Sequence, residues 1–196
     1  MAVVMMENWD QWAGRKLALI GPAGAGKTHL AHVWAAAAGA KIVSATELVN
    51  ADIPTLCQTA IAVEDIPLIA GDRAAEQALF HLHNMVLAEG HHLLVTADLP
   101  VLAWGLTLPD LLSRMQGTQS VTLDQPDDRL LAALVAKMFA DRQLMPSPET
   151  ISYMVSHMDR SFDAAGDLVA RIDRAALDQK RPVTRSLAIE VMKNPT

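Results

Sequence analysis

The sequence has little cysteine, few aromatic residues and no long apolar run. The shortage of cysteine excludes a disulfide-stabilised protein, and the lack of long apolar runs excludes a membrane-spanning one. A single cysteine, Cys57, cannot form an internal disulfide and fits a reducing compartment. No uninterrupted apolar run approaches the roughly 18 residues that span a bilayer. Residues 1–10 contain no basic residue and already carry Glu7 and Asp10, which is unlike a secretory signal. We therefore expect a cytoplasmic protein without a membrane segment.

An excess of basic residues is also absent. Lysine and arginine number 16 against 22 acidic residues, which gives a net charge of -6. This balance excludes a body that binds DNA through its phosphates. One local basic group lies near the C-terminus, and its members are Arg171, Arg174, Lys180, Arg181 and Arg185. We interpret it as solvated helix ends, with a local nucleic-acid patch as the alternative.

Five short apolar segments, each bounded by turn formers or charged residues, predict buried strands. They are residues 17–20, 41–44, 60–63, 92–96 and 121–123. Four of them are separated by stretches long enough for a helix, as a parallel sheet with helical crossovers requires. After Leu123 apolar residues recur only at helical spacing. The pattern therefore predicts an α/β body over residues 1–125 and a small helical lobe over residues 126–196.

The clearest chemical signal is a phosphate-binding loop of the form glycine, four residues, glycine, lysine and threonine. It follows an apolar strand and opens a helix, so backbone amides and the helix N-terminus would face the phosphates. Lys27 would reach the β- and γ-phosphates of ATP, or the β-phosphate of ADP, and the Thr28 hydroxyl would complete the shell of Mg²⁺. The predicted nucleotide-binding residues are Gly21, Pro22, Ala23, Gly24, Ala25, Gly26, Lys27, Thr28 and His29.

Polar side chains follow two further strands. Glu64 and Asp65 end the third strand, where phosphate-loop enzymes hold the metal and orient the attacking water. We assign the metal role to Glu64 and the water-positioning role to Asp65, although the usual order is aspartate first. Thr96 and Asp98 end the fourth strand and would either sense the γ-phosphate or simply form a polar turn.

Arg114 is the only basic residue between Arg73 and Arg129. Spacing alone leaves two interpretations open, a solvated helix residue or a finger offered to a phosphate in its own site or a neighbour's. The histidines indicate no metal site, since His81 and His83 are two apart on a predicted helix and do not face one another. We interpret them as structural or surface residues.

These elements resemble, in their order along the chain, AAA+ ATPases of the DnaA replication-initiator family. The resemblance rests on residues 17–30, Glu64 with Asp65, residues 96–100 and residues 112–115. Residues 158–162 and 172–177 look like the lid helix of the Hda subfamily of short DnaA homologues. The likeness covers nearly the whole chain from Trp9 onward.

The resemblance implies an AAA+ fold with a five-stranded parallel sheet, a helical lid and an adenine nucleotide bound between them. Arg114 matches the family's Ser-Arg element, which implies an arginine finger that acts in trans on a neighbour's ATP. Hda proteins, together with DNA and the replicase sliding clamp, stimulate ATP hydrolysis on DnaA. The resemblance therefore implies a regulator of chromosome replication initiation, whose partners are a DnaA-type initiator and the clamp.

The sequence differs from the family in three ways, and each difference predicts a property of this chain. Residues 1–10 contain neither the family's clamp-binding motif nor its adenine-contacting stretch, so we expect a truncated start or no clamp binding. The lid's sensor arginine aligns with Asp163, which leaves Arg160 as a substitute sensor and favours ADP, since an aspartate repels a triphosphate. No DNA-binding domain follows residue 196, so we expect no sequence-specific DNA binding.

Rival functions remain open at this point. A DnaC-like helicase loader would need an aromatic and basic track, and only 4% of the residues are aromatic. A small-molecule kinase would need an acceptor pocket, and an interaction module would not need its nucleotide. Because the acid pair is inverted, we expect weak or partner-dependent ATP hydrolysis, and self-association through Arg114 is an open alternative to a monomer.

Overall fold

The computed structural model describes residues 2–193, which form two compact units divided between Asp124 and Gln125. The first unit contains a five-stranded sheet in the order β2-β3-β4-β1-β5, and every neighbouring pair is parallel. The strands are β1 (Lys16–Ile20), β2 (Lys41–Ser44), β3 (Ile61–Glu64), β4 (Leu93–Ala97) and β5 (Gln119–Thr122). The predicted α/β class and parallel sheet are confirmed.

Two predicted strand boundaries differ from the structure in an instructive way. Glu64 is the last residue of β3 rather than the first residue after it, so it lies within the sheet, at the carboxyl end of the strand. The last strand begins at Gln119, two residues before the predicted start at Val121. It is an edge strand in which only Val121 is buried, so its apolar pattern is too short to mark the true start.

Five helices of the first unit connect and cover the strands. They are α1 (Ala2–Glu7), α2 (Lys27–Ala38), α3 (Ile53–Leu56), α4 (Arg73–Ala88) and α5 (Pro109–Gln116). Short 3-10 segments lie at Trp9–Gln11, Ala13–Arg15, Ala45–Asn50, Ile66–Ile69 and Val101–Ala103. The helix that the sequence predicts after the phosphate loop is α2, and it ends where Gly39 adopts a left-handed conformation with φ of 63°.

The sheet separates two apolar clusters, because successive residues of a strand point to opposite faces. Along β1, Ala18 and Ile20 join the cluster that packs against α4 and α5. Leu17 and Leu19 join the other cluster, which contains Trp34 of α2. Central strands buried on both faces explain why their sequences read as continuous apolar runs.

The second unit consists of helices in its described part, residues 125–193. They are α6 (Asp128–Asp141), α7 (Pro148–His157), α8 (Phe162–Gln179) and α9 (Arg185–Lys193). Side chains of Asp127, Ser147 and Ser161 cap the first three by accepting hydrogen bonds from backbone N–H groups. The apolar residues that recur at helical spacing after Leu123 lie on these helices, and their core includes Leu131, Phe139 and Val169.

No helix among residues 2–193 has both the length and the apolar character needed to cross a membrane.

Candidate functional site

The phosphate loop connects the last residue of β1, Ile20, to the first residue of α2, Lys27. Gly24 and Gly26 have φ values of 71° and 92°, a left-handed conformation that other residues rarely adopt. A Cβ atom at Gly21 would lie 2.7 Å from the carbonyl oxygen of Leu123, which follows β5. Glycine is therefore required at Gly21 for close packing and at Gly24 and Gly26 for the turn.

Lys27 places its charge inside this loop. The residue is only 9% exposed, and its ammonium donates hydrogen bonds to the carbonyl oxygens of Gly21 at 2.7 Å and Pro22 at 3.1 Å. A buried ammonium bonded to two neutral carbonyls carries an uncompensated charge, which a phosphate would neutralise. Thr28 and His29 follow on the first turn of α2 and are exposed, while Pro22 and Ala23 form the outer part of the loop. Ala25 is buried.

The two carboxylates at the end of β3 have different surroundings. The Oε1 atom of Glu64 is buried and has no hydrogen-bond partner among the described residues. Asp65 is exposed, and its backbone has a φ of 59°, which a non-glycine residue adopts only at a local energetic cost. The structure thus separates a buried carboxylate oxygen at Glu64 from an exposed carboxylate at Asp65. The metal and water-positioning roles stay predictions.

Thr96 joins the ends of β3 and β4. Its hydroxyl oxygen accepts a hydrogen bond from the backbone N–H of Asp65 at 3.0 Å, and the side chain is 1% exposed. The hydroxyl hydrogen is still able to donate to a further acceptor. In the sheet register Thr96 is paired with Leu19, the second-last residue of β1. The phosphate loop follows the end of that strand. Asp98, the other predicted sensor, is exposed beyond the end of β4.

These groups share the carboxyl edge of the sheet, where ligands bind in open α/β folds. The ends of β1 and β3 are separated by β4, which places them roughly 10 Å apart. Oxygen ligands are the ones Mg²⁺ prefers, and it usually keeps several waters and a substrate phosphate in its shell. The orphaned Oε1 of Glu64 and the exposed hydroxyl of Thr28 fit such an ion, and they are the residues that would hold it.

Arg114 lies at the opposite edge of the sheet. It is exposed on the last turn of α5, and its guanidinium forms no hydrogen bond or ion pair with any residue between 2 and 193. Its carbonyl oxygen accepts a hydrogen bond from the ammonium of Lys16, the first residue of β1. The phosphate loop follows the last residue of the same strand, so the length of β1, ~13 Å, separates the two.

Lys16 contacts the backbone of Arg114 and is itself in contact with His83, and sequence reasoning did not identify either residue as important. The Lys16 ammonium is 2.8 Å from the carbonyl oxygen of Arg114 and 3.3 Å from Nε2 of His83. Burial, together with the charges of Lys16 and Arg114, lowers the pKa of His83 to about 4. Burial and the charge of Arg114 also lower the pKa of Lys16. His83 is therefore neutral at physiological pH.

Glu76 is a second group that the sequence did not single out. This residue of α4 is fully buried, and its carboxylate accepts hydrogen bonds from the N–H groups of Gly71, Thr107 and Leu108 and from the Thr107 hydroxyl. Burial alone would raise its pKa, but these bonds outweigh burial and lower it. The only sequence feature that could have pointed to Glu76 is its position on an otherwise apolar face of a predicted helix.

In the second unit, Arg160 and Asp163 flank the start of α8. The guanidinium of Arg160 lies 2.9 Å from the carboxylate of Asp128, and both side chains are mostly exposed. Asp163 lies in the first turn of α8, where a negative charge is stabilised by the helix dipole. Arg160 would have to leave Asp128 in order to contact a phosphate.

Most members of the basic group near the C-terminus interact with residues of the second unit. Arg171 donates to the carbonyl oxygen of Val191, Arg181 pairs with Glu190, and Arg185 lies over the ring of Tyr153. Among residues 2–193 no three histidine, cysteine or carboxylate side chains converge to hold a metal ion.

No protein-family model matches the chain. Among solved structures, domain III of the replication initiation protein DnaA from Thermotoga maritima is similar with a TM-score of 0.84 and 15% identity, over 98% of this chain and 88% of that one. A mutant of RuvB from Thermotoga maritima gives a TM-score of 0.76 at 16% identity, over 98% and 66% of the two chains.

AMPPCP-bound DnaA from Aquifex aeolicus gives a TM-score of 0.71 at 17% identity over 90% of this chain. The match covers 60% of that DnaA chain, so this chain spans about three fifths of its length. Likeness at these identities concerns the fold. The chain has the AAA+ fold that DnaA domain III and RuvB share.

Proposed function

We propose that this chain is an adenine-nucleotide-binding AAA+ regulator of chromosome replication initiation, which stimulates ATP hydrolysis on a DnaA-type initiator in trans. This is the function of the Hda subfamily. The observation that carries the proposal is the placement of Arg114. Its guanidinium, which has no partner among residues 2–193, lies at the amino edge of the sheet, while the phosphate loop of the same chain lies at the carboxyl edge.

A finger at the amino edge suits a neighbour's nucleotide rather than its own. The rigid strand β1 holds Lys16, and with it the backbone of Arg114, one strand length away from Gly21. A cation that stabilises charge in the phosphoryl transition state must approach the γ-phosphate closely. Arg114 would therefore meet ATP that is bound to a second AAA+ domain docked against this edge.

The chain's own nucleotide would be held by the phosphate loop. Lys27 would give its ammonium to the phosphates, and backbone N–H groups of residues 22–28 would surround them. Mg²⁺, held by Thr28 and Glu64, would neutralise phosphate charge. Thr96 would donate its free hydroxyl hydrogen to a phosphate oxygen, and Asp65 would orient water at the outer side. AMPPCP-bound DnaA supports a nucleotide in this fold.

We assign ADP rather than ATP as the resident nucleotide. Arg160, the substitute sensor, is engaged by Asp128, and the aligned position carries the acidic Asp163. Neither arrangement offers a free cation to a γ-phosphate. The resident nucleotide would then stabilise the fold, while hydrolysis takes place on the partner.

The test is single-turnover hydrolysis of ATP preloaded on a DnaA-type initiator, in the presence of clamp-loaded DNA. The native chain should accelerate hydrolysis by at least about tenfold, and Arg114→Ala should return the rate to the initiator's own, since trans-acting fingers contribute roughly 10³-fold or more. The matched control is Arg73→Ala, which removes another exposed arginine of the same unit, at the start of α4.

Equal rates with the native chain and with Arg114→Ala would refute the role of the finger. Acceleration only when a single-stranded DNA and a replicative helicase are supplied would favour a helicase loader instead. Clamp-loaded DNA and clamp-free DNA compared in the same assay would show whether the sliding clamp is a partner.

A further inference from the structure

Buried polar side chains of the first unit gather around α5, the helix that carries Arg114. Outside the nucleotide site, the buried polar residues of this unit are Glu76, His83 and Thr118. Glu76 holds the backbone at the start of α5, and the Thr118 hydroxyl donates to the carbonyl oxygen of Arg114 at 2.9 Å. Burying polar groups is costly, so their convergence on one short helix calls for a reason beyond packing.

The apolar contacts of α5 lie on one side of the helix, where Leu111 and Met115 are buried and Leu112 is partly buried against the core. Only Leu111 and Met115 of its eight residues are buried. These apolar contacts fix the buried face of the helix but do not touch the backbone at its two ends. Hydrogen bonds at both ends supply the missing restraint, with Glu76 at Thr107 and Leu108 and Lys16 at Arg114.

The hydrogen bonds at the Arg114 end have one consistent arrangement. An ammonium only donates, so Nε2 of His83 must accept from Lys16, at 3.3 Å. The remaining hydrogen of the imidazole then lies on Nδ1, which is 3.2 Å from Oδ1 of Asn84 and donates to it. His83 and Glu76 are seven residues apart on α4, so one face of α4 supports both ends of α5.

We propose that Lys16 is a positioning residue for Arg114: its ammonium, oriented by His83, fixes the last turn of α5 and thereby aims the guanidinium at the partner's nucleotide. The inference rests on the proposed function. It adds a residue outside the family-like motifs, on the strand that also carries the phosphate loop. Lys16 touches neither nucleotide and acts only through Arg114.

The experiment uses four full-length variants, Lys16→Met, Arg114→Ala, the double variant and a matched control, Lys41→Met. Lys41 is also the first residue of a strand, and its ammonium donates to a backbone carbonyl, that of Thr55, at 2.9 Å. The control thus loses the same charge and the same kind of bond far from α5 in the sequence and the sheet. Single-turnover hydrolysis on the ATP-loaded initiator is measured across a range of regulator concentrations.

Lys16→Met should lower the saturating rate by about tenfold, the equivalent of ~1.4 kcal/mol in activation free energy, with the half-saturating concentration unchanged within about twofold. Lys41→Met should leave both values unchanged. The double variant should hydrolyse at the initiator's own rate, as Arg114→Ala does, and its α5 amides should exchange as fast as those of Lys16→Met, because the Lys16 bond is made to the backbone of residue 114.

Hydrogen exchange gives a second readout that needs no partner. Amides of residues 113–117 should exchange faster in Lys16→Met than in the native chain or in Lys41→Met, by about fivefold or more. A native saturating rate in Lys16→Met, or an equal loss of rate in Lys16→Met and Lys41→Met, would overturn the positioning role. A native chain that fails to accelerate hydrolysis would refute the proposed function, and unchanged exchange in Lys16→Met would then refute the positioning role separately.

Discussion

The two edges of the sheet treat their polar groups in opposite ways. At the carboxyl edge, polar groups are left without a full set of protein partners: Oε1 of Glu64 has none, and the Lys27 ammonium meets only neutral carbonyls. At the amino edge, the Lys16 ammonium bonds to Nε2 of His83 and to the carbonyl oxygen of Arg114, and the Arg114 guanidinium is exposed. Nε2 of His92, directly before β4, is the exception at this edge, since it is buried without a partner among the described residues. Under the proposed function, the first edge would receive the nucleotide and the second would present Arg114 to a partner.

Lys27→Ala should give the largest effect at the carboxyl edge. Removal of a buried ammonium aimed into the phosphate loop should weaken ADP and ATP binding at least about 100-fold, since charge-assisted hydrogen bonds to phosphate are strong. Calorimetric titration measures the change, with Lys41→Ala as the control. A loss of less than about threefold would show that the loop does not hold the phosphates.

Gly21→Ala would test whether the loop is fixed by its close packing on β5. The new Cβ would lie 2.7 Å from the Leu123 carbonyl, so we expect a loss of about 1–3 kcal/mol in the free energy of unfolding. Denaturant titration would measure it. The control is Gly117→Ala, where φ is -80° and the new Cβ would lie 3.6 Å from the nearest oxygen. Equal stability of the two variants would indicate that the loop can shift freely.

Glu76→Gln addresses the hydrogen bonds that hold α5. The variant loses a charged acceptor of several bonds and should unfold about 1–3 kcal/mol more easily at neutral pH. Because the pKa of Glu76 is lowered by folding, its contribution is complete above the pKa of an unfolded glutamate and is lost as pH falls through the folded pKa. The stability gap between the native chain and Glu76→Gln should therefore shrink below about pH 4.

That pH dependence is measured by urea unfolding between pH 7 and pH 3. A gap that stays constant over this range would mean that the lost stability does not come from the ionised carboxylate.

Arg160→Ala should have the smallest effect. The ion pair with Asp128 is mostly exposed, and such pairs contribute about 0–1 kcal/mol. We expect ADP affinity to change by less than about twofold and ATP affinity likewise, because Arg160 is engaged within its own unit. A selective loss of ATP affinity, measured with fluorescent nucleotides, would instead make Arg160 a γ-phosphate sensor.

The sequence predicts the carboxyl edge far better than the amino edge, for a physical reason. A phosphate loop needs glycines and a lysine at fixed spacing, and the run from Gly21 to Thr28 displays that need locally. The surroundings of Arg114 come from three separate places in the chain, namely β1, α4 and α5. A local sequence pattern cannot predict contacts between residues that are roughly 70 to 100 positions apart.

The same contrast holds for the fold. The buried strands β1, β3 and β4 are apolar on both faces and are visible in the sequence within about a residue. Edge strand β5 and helix α9 escaped an accurate prediction, the first because only Val121 of its four residues is buried and the second because only Leu187 and Ala188 are buried along its length. Helices and strands that bury few side chains contain few apolar residues at regular spacing, so the sequence pattern predicts them poorly.

Strand β1 also constrains how this protein can evolve. It is hydrogen-bonded on both sides, and Leu17, Leu19, Ala18 and Ile20 alternate between two separate cores. A single-residue insertion or deletion would turn every following side chain to the wrong face and would move Lys16 relative to the phosphate loop by about 3.3 Å. Length changes are therefore confined to the segments outside the strand, such as the exposed turn at Ala13–Arg15, while β1 itself keeps five residues.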